Sequence, residues 1–306
     1  MPSRVCPFAQ PSRSFTSVAF ATAAPSLRVR KPAGRYVQCQ PLPPQNTGGP
    51  FLGPPRIFLA MPTIDQYCIQ SEILISCALG GHVEYFDTCV AVINDQMKFL
   101  GDINRLFVQS EDDMRSVLRA IEKAQRRFEE LNIPRVKTVE LFPGISEVLI
   151  DEFSTAGYRL SEHTYFALQE IQDIGLNIGN IKVPSTEEYM RWYEVRCREY
   201  DDFDENWWSL ARTQRPDYIK IFRPYWSFVE GVHVGYMYCA ETEEYTCVHD
   251  INILPTYRGK GYGFEMVYKA IQNKRKPIVL RAGQSMKRFY GKMGFVLACR
   301  NKVVEV

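Results

Sequence analysis

The sequence predicts two tandem α/β units behind a non-globular leader. Three observations carry that reading. Helical and strand periodicities alternate from residue 61 to the end. The same order of elements recurs in the two halves. Each half also closes on the same joint: Phe153-x-x-x-Gly157-Tyr158-x-Leu160 aligns without gaps on Tyr290-x-x-x-Gly294-Phe295-x-Leu297. That spacing describes a helix ending on a glycine C-cap and feeding a strand. A chain of 306 residues, 45% of them hydrophobic, has room for two modest domains with real cores.

The leader, residues 1–60, holds eleven of the nineteen prolines, seven Lys/Arg and no acid. Proline fixes φ and removes donors, and few apolar residues here are spaced to bury a face, so the segment reads as disordered. Two explanations stand: an Arg- and Ser-rich organellar transit peptide, or translated sequence upstream of a start at Met61. The +2 charge of the whole chain less those seven cations leaves −5 on the remaining residues. A mildly acidic body is a poor nucleic-acid partner. No run of eighteen apolar residues exists, so neither a spanning helix nor a membrane partner is expected, and the cytoplasm is the expected location unless the leader is a transit peptide. Nine scattered cysteines without a C-x-x-C, and four dispersed histidines, suit a reducing compartment and offer no metal site.

In the first half, residues 61–178, Gln66–Leu79 has helical spacing at Ile69, Ile73, Leu74 and Cys77. His82–Ile93 reads as a strand, and Leu100–Val108 as another. Ser110 is the candidate cap of a helix whose stripe is Met114, Val117, Leu118, Ile121, Ala124, Phe128 and Leu131, closed by Asn132 and Pro134. Val136–Leu141 is a short strand, Ser146–Phe153 a helix and Tyr165–Leu168 the last strand. In the second half, residues 179–306, Ser185–Tyr200 is a helix, Trp207–Arg212 a short helix, and Tyr225–Val229 and Val234–Cys239 are strands about a turn at Glu230-Gly231. Tyr245–Leu254 is a strand, Gly263–Asn273 a helix, Pro277–Ala282 a strand, Ser285–Lys292 a helix and Phe295–Val306 extended.

The sharpest local signal is Tyr257-Arg258-Gly259-Lys260-Gly261-Tyr262-Gly263, between a strand and a helix. Glycines there allow close approach of a ligand and expose N–H groups at a helix N-terminus, a geometry that binds pyrophosphate. The spacing is neither a dinucleotide fingerprint nor a P-loop.

Together, Ile253-Leu254-Pro255-x-x-Arg258-Gly259-Lys260-Gly261-Tyr262-Gly263 and Phe289-Tyr290-Gly291-Lys292-Met293-Gly294-Phe295 resemble the GNAT superfamily of acyl-CoA N-acyltransferases. The resemblance covers residues 181–306; residues 65–169 share it only through architecture and the tail joint. It implies tandem GNAT-like folds, mixed and mostly antiparallel sheets flanked by helices, with the parallel strand pair splaying after Leu254. It implies transfer of an acyl group, most simply acetyl from acetyl-CoA, to a small-molecule or peptide amine. Arg258, Gly259, Lys260, Gly261, Tyr262 and Gly263 would hold the coenzyme pyrophosphate and Ile253 the pantetheine backbone. Tyr290 would protonate the leaving thiolate. Asp250 stands where many members carry a glutamate base. Neighbours on a strand face opposite ways, so only one of His249 and Asp250 can face a cleft, and the motif position favours Asp250. Gly283 replaces an asparagine common in the family, and Ser285 would substitute by capping the next helix.

The first half lacks the loop. Its corresponding stretch, Phe107-Val108-Gln109-Ser110-Glu111-Asp112-Asp113, has three acids and no glycine, and Phe153 stands where the second half has Tyr290. It reads as a degenerate copy. His82 and His163 have no evident partner, His233 reads as exposed, and Cys239 and Cys247 have no base beside them. The stretch Tyr200–Trp208 has two readings: a cationic-amine site, or a solvated acidic loop over buried tryptophans. Two other functions remain: a non-catalytic acyl-CoA-binding or interaction module, and an aminoacyl-transferase, which the acidic body and intact loop disfavour.

Overall fold

The computed structural model describes residues 63–98, 103–109, 113–142, 144–171, 180–198 and 205–306. The leader, Ser110, and residues 200–204 of the expected acceptor region lie outside them. The described chain divides into two compact units.

One unit runs over the described part of Ile171–Glu241 and over Val248–Arg275. It contains β6 (Ile181–Lys182), α4 (Thr186–Arg198), α5 (Glu205–Ile221), β7 (Phe222–Val229), β8 (Val232–Glu241), most of β9 (Thr246–Ile253) and α6 (Tyr262–Ile271). Ser185 caps α4: its Oγ accepts from Glu188 N at 3.2 Å while Glu188 Oε2 accepts from Ser185 N at 2.9 Å. α5 corrects the expected helix Trp207–Arg212, since it continues through Pro216 to Ile221. β7 likewise begins at Phe222 and carries Pro224 opposite Tyr238 of β8. β6 reaches only Ser227 and Trp226, so Pro224 faces no partner on that side and its missing N–H breaks no ladder. α6 buries Met266, Val267, Ala270 and Ile271 against β7 and β8.

The other unit unites the described first half with Thr242–Cys247 and Lys276–Val306. Its helices are α1 (Ile64–Ala78), α2 (Met114–Glu130), α3 (Glu147–Thr155) and α7 (Lys287–Gly291). Its strands are β1 (His82–Phe86), β2 (Cys89–Ile93), β3 (Arg105–Val108), β4 (Thr138–Leu141), β5 (Leu160–Leu168), β10 (Ile278–Arg281) and β11 (Phe295–Glu305). They lie in the order β1-β2-β3-β4-β11-β5-β10, followed by the start of β9. The final strands of the two sequence halves, β5 and β11, pair with each other, with an irregularity between Leu297 and Cys299. β11 also pairs with β4, and β5 with β10. Two pairings are parallel, β3 with β4 and β9 with β10; β1–β2, β2–β3, β4–β11, β11–β5 and β5–β10 are antiparallel. The sheet is therefore mixed and mostly antiparallel, with helices on both faces. Cys89, Ala91 and Ile93 of β2 pack with α2 and α3, whereas Val90 and Val92 pack with Ile69 and Ile73 of α1. Period-two alternation assigns the two faces.

Several sequence expectations shift here. His82–Ile93 is a hairpin, because Asp87 adopts φ +48° and turns the chain. The strand expected from Leu100 begins at Arg105, with residues 99–102 outside the described set. β5 starts at Leu160, five residues before the expected Tyr165. The described cap of α2 is Asp113, which accepts from Ser116 N at 3.1 Å. Ser285 caps nothing: it lies in a 3-10 turn, Gln284–Met286, ahead of the short α7. The parallel pair β9/β10 ends its pairing at Cys247 and Val279, well before Leu254. In contrast β3 and β4 pair through three positions, from Leu106 to Val108. The tail joint holds: Gly157 and Gly294 adopt φ +88° and +92° at equivalent places.

Under α1 lies a buried charge network. Glu140 of β4 is 2% exposed. It accepts from Arg105 Nη2 at 2.6 Å, Tyr165 Oη at 2.7 Å and Asn301 Nδ2 at 2.9 Å, with His163 Nδ1 at 2.9 Å. Arg105 also bonds Glu72 of α1, which meets Arg281 Nη1 at 2.9 Å. His163 thus has a partner, as does His82, whose Nε2 lies 3.1 Å from Glu84. Burial alone would raise the Glu140 pKa, but His163, Arg105 and Tyr165 outweigh it and lower it to about 2. A depressed folded value gives stability that is complete above the ordinary carboxylate pKa near ~4.3 and is lost as pH falls toward about 2. Glu140→Gln should therefore flatten the acid limb of the stability–pH curve between those values. Glu140→Ala should cost about 3–5 kcal/mol at pH 7, read by urea denaturation, because it strips a buried cation of one counter-charge. A cost below ~1 kcal/mol would contradict this account.

Candidate active site

β8 and β9 place the glycine-rich loop. Leu254 N donates to Val234 O at 2.9 Å, fixing the end of β9 beside β8. The approach is close at Gly235, where a Cβ would stand 2.4 Å from Ile253 Cδ1 and 2.6 Å from Asn252 O. Only glycine fits there without moving β9.

Asp250 adopts φ +49° in the middle of β9. A left-handed backbone within a strand costs energy in a non-glycine residue. It also breaks the alternation by which the sequence assigned Asp250 and Asn252 to one face and His249, Ile251 and Ile253 to the other. His249 is not an idle neighbour either, since its ring lies 6.0 Å from that of Phe222.

After β9 the chain makes a 3-10 turn, Pro255–Tyr257, and enters the loop. Gly259 and Gly261 adopt φ +77° and +95°, and Gly261 is the N-cap of α6. An ideal Cβ at either would meet nothing within 4 Å, so the space above them is open. None of the backbone N–H groups of Gly259, Lys260, Gly261, Tyr262 and Gly263 donates to another backbone group in a turn or cap. Such a cradle at a helix N-terminus fits an anion. Two expected contacts differ. Arg258 N is taken by Pro255 O at 3.3 Å, so it is not free for a phosphate. The Arg258 side chain instead donates from Nε to Ile253 O at 2.8 Å, occupying one lone pair of the carbonyl expected to meet pantetheine. Lys260 Nζ lies over the Tyr257 ring at 5.3 Å. In the first turn of α6, Glu265 Oε2 is buried without a partner, and burial raises its pKa. That shift favours the neutral carboxyl beside the cradle.

Tyr290 belongs to the other unit, in α7. It is 5% exposed, among Phe289, Phe166 and Phe295, with ring centroids 4.9, 5.6 and 5.8 Å away. Burial raises its pKa above the ordinary phenol value. Phe153, at the equivalent joint of the first half, is fully buried and has no hydroxyl. Cys239 and Cys247 are buried, and burial lifts the Cys239 pKa to about 12, which disfavours a thiolate nucleophile. His233 is half-buried rather than exposed, its ring 5.1–5.5 Å from Trp226, Trp192 and Phe228; burial lowers its pKa to about 4. Among the described residues no group of three His, Cys, Asp or Glu could hold a metal, and no helix is long and apolar enough to cross a membrane.

Residues 185–295 match the model of the acetyltransferase (GNAT) family. No curated protein matches the chain. Among solved structures, a GCN5-related N-acetyltransferase from Kribbella flavida is 17% identical, with 80% of this chain and 96% of that one covered at a TM-score of 0.58. A functionally unknown conserved protein from Staphylococcus epidermidis is 13% identical, with 74% and 94% covered at 0.52. These likenesses are of fold.

Gly235→Ala tests the placement of β9. It should cost about 1–3 kcal/mol in urea denaturation, because the methyl group meets strand backbone as well as a flexible side-chain end. A neutral substitution would mean that β9 is free to shift.

Proposed function

From the match of residues 185–295 to the acetyltransferase (GNAT) family, we propose that the protein transfers an acyl group, most simply acetyl from acetyl-CoA, to an amine by direct attack in a ternary complex. The observation that carries the reading is the loop of Gly259–Gly263. Its two left-handed glycines, open space and unbonded N–H groups suit the coenzyme pyrophosphate. Lys260 adds a positive charge at the same place.

The chemistry asks little beyond positioning and two proton transfers. The neutral amine attacks the thioester carbonyl, forming the C–N bond. Asp250, turned out of the regular strand by its left-handed backbone, accepts the amine proton. The C–S bond then breaks, and the electron pair leaves on the coenzyme sulfur. Tyr290 donates its hydroxyl proton to that thiolate. Its raised pKa keeps it protonated throughout the neutral range, the form required of an acid. In this reading residues 179–306 carry the chemistry, and residues 61–178, without loop or tyrosine, serve as scaffold.

Tyr290→Phe should bind acetyl-CoA as the wild type does and lose turnover at least tenfold, measured by calorimetry and by a thiol-release assay on an amine panel. Retention of full turnover would remove the tyrosine from the mechanism. Gly261→Asp should abolish coenzyme binding. It strains a position at φ +95° and sets a negative charge beside the pyrophosphate. Like charges ~4 Å apart at an effective dielectric near ~20 cost about 4 kcal/mol, roughly three decades in affinity. Unchanged affinity would place the coenzyme elsewhere, and absence of binding by the wild type at millimolar acetyl-CoA would overturn the function.

A further inference from the structure

The aromatic layer beneath α4 and α5 contains a cation that meets no carboxylate among the described residues. The Arg215 guanidinium of α5 packs against two phenol rings, 4.6 Å from the centroid of Tyr193 and 4.9 Å from that of Tyr218. Its Nε is buried with no hydrogen-bond partner. Among the described residues it meets no carboxylate: Asp217 is taken by Lys220, and Glu187 by Arg191. Behind it, Tyr189 and Tyr238 bond each other through their hydroxyls at 3.0 Å. Burial would lower the Arg215 pKa, and the surrounding tyrosines hold it well up, so the group stays charged.

A half-buried guanidinium that meets no anion among the described residues is costly. Ring faces stabilise its flat sides, but they satisfy none of its five N–H donors. Its N–H donors therefore still call for an acceptor, and Nε has none. We propose that Arg215 binds a carboxylate of the amine acceptor, so that the acceptor is an amino carboxylate of the amino-acid or peptide C-terminus class. One guanidinium matches one negative charge in bidentate geometry, which suits a carboxylate better than a phosphate dianion. The aromatic surroundings suit an apolar body on the same molecule. A short chain of contacts links the clamp to the candidate base: Tyr218 stacks on Phe222 at 5.0 Å, and Phe222 lies 6.0 Å from His249, next to Asp250. The inference rests on the proposed acyl transfer and names the substrate class for it. It differs from the cationic-amine site expected around Tyr200–Trp208, most of which lies outside the described residues or has no described side chains.

The test pairs each common amino acid with its C-terminal amide. Both forms offer the same amine, and only one offers the charge. Transfer from acetyl-CoA is followed by thiol release, and equilibrium binding of the same compounds by tryptophan fluorescence, on wild type, Arg215→Lys and Arg215→Met. The wild type should favour an acid over its amide at least a hundredfold in kcat/KM, mainly through KM. Arg215→Met should erase that preference while leaving acetyl-CoA affinity unchanged, and Arg215→Lys should recover part of it. Arg215→Met should also melt higher than wild type without ligand, because it removes an uncompensated buried charge. A wild type that treats acid and amide alike, or binds neither, overturns the carboxylate site. Selective binding of the acid without turnover keeps the site and overturns the acyl transfer instead. A lower melting temperature for Arg215→Met shows that the cation is already compensated, which also overturns the inference.

Discussion

Glu140 is the constraint on which the sheet of its unit depends. Its carboxylate sits on β4 and is satisfied from three other strands: Arg105 on β3, His163 and Tyr165 on β5, and Asn301 on β11. The acceptors and donors must all be present together, because a buried carboxylate with missing partners is expensive. The network therefore fixes the register of β11 between β4 and β5. In doing so it ties the last strand of the second sequence half to strands of the first. Glu72 extends the same logic to α1, which has to lie over the sheet for Arg105 and Arg281 to be paired.

The two candidate chemical positions follow from different physical needs. The coenzyme loop needs backbone rather than side chains, so its determinants are conformational. Gly259 and Gly261 take φ values that side chains rarely tolerate, and α6 follows with its first N–H groups unbonded. Gly235 adds a steric determinant, since it lets β8 carry β9 at close range to the start of the loop. Tyr290 needs a protonated hydroxyl, which an ordinary phenol with pKa near ~10 already has at neutral pH, and burial among Phe166, Phe289 and Phe295 raises its pKa further. One of those rings comes from β5, a strand of the first half. The half without a loop of its own therefore furnishes part of the wall around the candidate acid.

Much of this was legible in the chain. The helix stripe of Val117, Ile121, Ala124 and Phe128 is the buried face of α2. The matched joints at Gly157 and Gly294 both prove left-handed. The glycine loop opens α6 as its spacing implied, with Gly261 as the cap. Other features were hidden for identifiable reasons. Asp87 turns the β1–β2 hairpin without a strong turn dipeptide. Pro216 looks like a helix stop, yet α5 continues through it. That continuation brings Arg215 one turn before Tyr218, a pair that the shorter helix would not have formed.

The sequence by itself determined what depends on near neighbours: helix periodicity, caps, the left-handed glycines, and the loop that exposes its amide groups. Those signals are local because backbone sterics and hydrogen bonds act over a few residues. Only the tertiary structure decided which strands pair, that β5 and β11 lie side by side, and that Glu140 finds its four partners. It alone set Arg215 against two rings with no carboxylate among the described residues, and set Asp250 in a left-handed kink within a strand. These depend on contacts between residues far apart in the chain, and on desolvation that no short window of sequence records. A buried charge and an exposed one are written with the same letter.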